Sequence, residues 1–138
     1  MKKVKNNSKP WLNHYPEGVP EEINPEKFEN LIDLFEDSFK KHKHLTAYKC
    51  MDMELSFLNW DIQSKKVASY LQHLELTSSA KVAVMMPNLL QNPISIAAVI
   101  RAGYVVVNVN PLYTARELNH QLKDSEAEAI IILDNFSW

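Results

Sequence analysis

Glycine is scarce in this sequence: only Gly18 and Gly103 occur in 138 residues. Loops that cradle a phosphate need several glycines so that backbone N–H groups can approach the anion. Neither G-x-G-x-x-G nor G-x-x-x-x-G-K-[ST] is present. A complete nucleotide site is therefore not expected within this stretch. Cysteine occurs once, as Cys50, which cannot form an internal disulfide. No apolar run follows Met1-Lys2-Lys3 as a secretory signal requires, and none approaches the roughly 18 uninterrupted apolar residues of a membrane helix. A cytoplasmic setting is the expectation, with any membrane contact peripheral. The formal net charge of −2 leaves no basic excess to hold a nucleic-acid backbone, so no nucleic acid is expected as a partner.

The remaining composition is that of a globular domain, with a hydrophobic share of 46%. Residues 1–25 mix lysine and asparagine with Pro10, Pro16, Pro20 and Pro25 and show no lasting periodicity, which predicts an irregular arm carrying Trp11, Leu12 and Tyr15. Phe28, Leu31, Ile32, Phe35 and Phe39 recur at helical spacing, on a helix ending in Lys40, Lys41 and Lys43. Residues 46–50 and 53–57 read as a hairpin around Met51-Asp52, although its turn lacks glycine. A second amphipathic helix follows, with Trp60, Val67, Leu71 and Leu74 on its buried side and Lys65, Lys66 and Gln72 in water.

From Lys81 onward the pattern becomes β-α-β-α-β. Val82 to Met86 is a continuous apolar run, as in a central strand, and the segment from Leu90 to Ala102 is apolar almost all round, with Pro93 in its first turn. Gly103 stands where a helix end needs a left-handed residue. Val105 to Val107 with Val109 then predict a strand buried on both faces, and Asn110-Pro111 breaks it. Thr114 and Glu117 form a Thr-x-x-Glu capping box that opens a helix with Leu118 and Leu122 facing inward. Ala129 to Leu133 supplies a third buried strand. The fold class expected is α/β: an open, doubly wound parallel sheet with right-handed crossovers and helices on both faces, preceded by a helix and a β-hairpin.

Few side chains suggest chemistry by themselves. His42 and His44 sit two apart near a helix end and face different directions, so solvated surface is expected rather than a metal site. His14, His73 and His120 have no ligand-spaced companions, and Cys50 has no activating neighbour in sequence. Asp33 and Asp37 read as a solvated acidic helix face. Ligands in open α/β sheets gather beyond the carboxyl ends of strands, which draws attention to Tyr113 beside Asn108 and Asn110; hydrogen bonds that fix the loop are favoured there over substrate contact.

Three sets of residues carry a family resemblance. Trp11-Leu12-x-x-Tyr15-Pro16-x-x-Val19-Pro20 with Glu22-Ile23-Asn24-Pro25, then Met85 to Gln91, then Arg101-Ala102-Gly103 through Asn108-Val109-Asn110-Pro111-Leu112-Tyr113-Thr114 and Arg116-Glu117-Leu118, resemble the amino-terminal region of bacterial long-chain fatty-acid–CoA ligases, members of the adenylate-forming superfamily. Leu55-Ser56-Phe57 resembles the start of that superfamily's first core motif, but Asn59 and Trp60 depart from its Glu and Leu. The resemblance implies a reaction in which ATP, with Mg²⁺, activates a long-chain fatty acid as an acyl-adenylate and coenzyme A then takes the acyl group. It also implies that residues 26–138 are an incomplete N-terminal α/β subdomain behind the arm of residues 1–25.

The family's phosphate loop, ribose-binding acid and carboxy-terminal lysine lie downstream of the matched region. No catalytic, cofactor-binding or metal-binding residue is therefore expected in this stretch, and no acyl-adenylate is expected from it alone. Gly103, Asn108, Asn110, Pro111, Tyr113, Thr114 and Glu117 are expected to serve as scaffold. The resemblance leaves room for a homodimer, for contact with the inner face of the membrane, and for self-association of the isolated stretch through unpaired strand edges. The rival readings are a free-standing α/β binding or interaction module and a truncated, non-catalytic paralogue. A receiver-like module would need acids where Met86-Pro87-Asn88 stands, although Asp134 does follow the third strand.

Overall fold

In the computed structural model, which describes residues 9–134, the arm holds a short 3-10 helix, Pro10–His14, where no regular element was expected. Proline pre-sets the first turn of that helix. The first α-helix, α1 (Leu31–Lys41), starts later than its apolar spacing suggests, because the Asn30 side chain accepts the Asp33 N–H and fixes the N-cap. Phe28 lies before the helix and Lys43 beyond it. Strands β1 (Thr46–Cys50) and β2 (Met53–Ser56) form the antiparallel hairpin. Met51, at φ 53°, takes the left-handed turn position that a glycine would ordinarily fill. Helix α2 (Phe57–Gln72) begins on the Ser56 cap and ends before Leu74, which is 42% exposed rather than part of its buried face.

Three parallel strands follow with their crossover helices: β3 (Lys81–Met85), α3 (Gln91–Arg101), β4 (Val105–Val109), α4 (Ala115–Ser125) and β5 (Ala127–Ile132). Their order in the sheet is β4-β3-β5, so β3 is central and both later strands are edges. Alternation along β3 divides the core. Val82 and Val84 face Ala68 and Leu71 of α2 and Ala98 and Val99 of α3, while Ala83 and Met85 face Val109 and, on α4, Leu118 and Leu122. Helices thus cover both faces, as the pattern predicts.

The expectation of three buried strands holds for β3 alone. In β4 only Val109 is buried and Val105 is 47% exposed; β5 has no fully buried residue. A β-branched run reports fitness for a pleated surface, whereas burial depends on neighbours on both sides, which an edge strand lacks. Helix α3, by contrast, buries Ile94, Ser95, Ala97, Ala98 and Val99.

The end of α3 shows why Gly103 is a glycine. Its N–H reaches the Ile100 carbonyl at 3.1 Å, the Tyr104 N–H reaches the Val99 carbonyl at 3.1 Å, and Gly103 itself has φ +86°. These two bonds are the Schellman arrangement, which satisfies carbonyls the last turn would leave unpaired and aims the chain into β4.

A second apolar cluster joins the hairpin to the helices through Phe39, Leu55, Trp60, Ile94 and Ala97. The Trp60 indole meets the rings of Phe39 and Tyr48 edge-on, each at 5.0 Å, and its Nε1 donates to the Pro93 carbonyl at 2.9 Å. The buried N–H is therefore satisfied, and the edge-to-face geometry suits the ring quadrupoles.

Candidate functional site

The carboxyl ends of the parallel strands carry the loop that the sequence singles out. After β4 the chain turns at Asn110-Pro111. The Asn110 side-chain oxygen accepts the Leu112 N–H at 3.0 Å, and its carbonyl accepts the Tyr113 N–H at 3.1 Å. Proline suits this turn because its φ is already near the required value. Thr114 then closes the capping box: its N–H donates to the Glu117 carboxylate at 2.8 Å and its hydroxyl at 2.7 Å, while the Glu117 N–H donates back to the hydroxyl at 3.4 Å. The Thr114 hydroxyl and then its N–H hold the Glu117 carboxyl below the usual range. Gln121 Nε2 donates to the Asn108 carbonyl at 2.9 Å, tying α4 back to β4.

Asn108, Asn110, Pro111, Tyr113, Thr114 and Glu117 are thus brought together in one strand-loop-helix, and Gly103 sits at the opposite, amino end of β4. Tyr113 contributes its backbone N–H to the turn, and its exposed side chain borders a shallow depression with Arg116, Glu117, His120, Gln121 and Asp124. Leu112, at the tip of the loop, is 83% exposed.

A second concavity was not foreseen from the sequence. It has a volume of about 420 Å³ and lies between the hairpin and the β3–α3 loop, walled mainly by Phe35, Tyr48, Trp60, Leu89, Pro93 and Ile96. Cys50 borders it, its thiol 3.5 Å from the Asn88 carbonyl. Burial pushes the Tyr48 phenol above its ordinary pKa.

Sequence reading also missed an ionic cluster, because its members lie 40 and 65 residues apart. Arg101 Nη2 donates to Asp61 Oδ1 and to Glu36 Oε1, each at 2.6 Å, and Nη1 donates to the Asp61 carbonyl at 3.2 Å. The guanidinium also stacks 4.8 Å above the Phe39 ring. Burial raises the Asp61 carboxyl, but hydrogen bonds from Lys65 and Arg101 outweigh it and hold the group below the usual range. One cation therefore fastens α1, α2 and α3 together. The only foreshadowing signal is a charge ending an otherwise apolar helix.

The titratable candidates remain apart. His42, His44, His14, His73 and His120 are all exposed, and no group of three His, Cys, Asp or Glu among the described residues could hold a metal ion. Asp37 pairs with Lys41 at 2.8 Å rather than with Asp33, and that bond lowers its pKa. No helix among the described residues is long and apolar enough to cross a membrane.

A family model described as "AMP-binding enzyme" matches residues 35–137. The chain belongs to the AMP-binding enzyme family. Among relatives in this family, a long-chain-fatty-acid–CoA ligase of Escherichia coli O6:H1 is 48% identical, matching 99% of this chain and 24% of its own length. The corresponding ligase of Bacillus subtilis is 39% identical over 91% of this chain and 22% of its own length. The chain thus spans about a quarter of the curated relatives it matches, in their N-terminal part. The N-terminal subdomain of Klebsiella oxytoca NpsA, solved with 3-hydroxyanthranilyl-AMSN, superposes with a TM-score of 0.74 over 80% of this chain and 28% of that one, at 21% identity. The α/β architecture is therefore that of an N-terminal subdomain of this family, and a free-standing module of another class is set aside.

Proposed function

We propose that this chain is the N-terminal scaffold of an AMP-forming long-chain fatty-acid–CoA ligase. Such an enzyme joins a long-chain fatty acid to ATP as an acyl-adenylate with release of diphosphate, then transfers the acyl group to CoA and releases AMP. The observation that carries the reading is the 48% identity to the Escherichia coli ligase across 99% of this chain. Residues 1–25 act as the arm and 26–138 as the incomplete subdomain.

ATP, Mg²⁺ and CoA are the cofactors of that reaction, but the described residues do not fit a whole site for them. The loop after β3, Met86 to Leu90, has no cation, and after β4 Thr114 and Glu117 satisfy one another. Stabilising a phosphoryl transition state requires donors and metal held together. The role left to Gly103, Asn108, Asn110, Pro111, Tyr113, Thr114 and Glu117 is to shape β4 and the start of α4. The reading places the parent ligase in the cytoplasm, where ATP and CoA are held, and leaves room for a homodimer and for peripheral contact at the inner membrane face. Among the described residues the outer edges of β4 and β5 are each paired on one side only, so self-association of the isolated chain through them is the expected outcome.

The isolated chain provides the test. Residues 1–138 supplied with ATP, Mg²⁺ and palmitate release no pyrophosphate above a no-protein control. Release above that control contradicts the scaffold role.

A further inference from the structure

We draw no further inference here: the strongest candidate, the largely apolar cavity between the β1–β2 hairpin and the β3–α3 loop with the buried Asn92 side-chain oxygen unpartnered in its wall, carries nothing because nothing in the structure shows what covers it.

Discussion

Arg101 on α3 grips Asp61 on α2 twice, through its side-chain Oδ1 at 2.6 Å and its backbone carbonyl at 3.2 Å. The Arg101 side chain is only 6% exposed, so the charge exists there because partners surround it. Replacing Arg101 with Met preserves much of the packing over Phe39 but leaves Asp61 and Glu36 without their shared cation. The expected loss is about 3 kcal/mol, toward the low end for breaking a buried pair because Glu36 reaches water and Asp61 keeps Lys65. Urea unfolding of Arg101→Met measures it; an unchanged midpoint would show that the clamp contributes nothing.

Acid should expose the same clamp. Folding holds the Asp61 carboxyl below its ordinary value, because the Lys65 and Arg101 hydrogen bonds outweigh burial. A group depressed by folding contributes fully above its unfolded pKa, about 3.9, and loses that contribution as pH falls through the lower folded value. Asp61→Asn should therefore flatten the decline in stability below about pH 4 without abolishing it, since Glu54, Glu117, Glu126 and Glu128 are lowered too. Thermal melts between neutral pH and pH 3 check this, and identical acid limbs in the two proteins contradict it.

Thr114→Ala removes the hydroxyl that accepts the Glu117 N–H and donates to its carboxylate. A loss of about 1 kcal/mol is expected from the cap. The Glu117 pKa should rise toward its ordinary value, which carboxyl NMR titration reads directly. Amide exchange should quicken first at the start of α4.

Gly103 tests backbone conformation rather than space. A Cβ built there meets nothing within 4 Å, yet φ is +86°. Gly103→Ala should cost about 1–2 kcal/mol through left-handed strain alone, and Gly103→Asn less. Equal stability of the alanine and asparagine variants would contradict this origin of the effect.

The sequence was most legible where structure is set by neighbours along the chain. The Thr114–Glu117 box, the Asn110-Pro111 turn and the Gly103 helix end are closed by residues within five positions, and all are found where expected. Asn30 shows the limit of periodicity, since its cap starts α1 at Leu31 and leaves Phe28 outside. The burial of β4 and β5 was misjudged because their valines and isoleucines carry no record of how many strands lie beside them. Arg101, Glu36 and Asp61 were invisible as a set because only the packing of three helices brings them together. The same holds for the cavity beside β1.

Grafting tests the central claim most directly. A chimera in which residues 1–138 replace the matching N-terminal quarter of the Escherichia coli relative should fold and convert palmitate, ATP and CoA to palmitoyl-CoA, with kcat/KM within about tenfold of the parent enzyme. A chimera that melts cooperatively and binds palmitate yet forms no palmitoyl-CoA would contradict the assignment of this chain as a ligase scaffold.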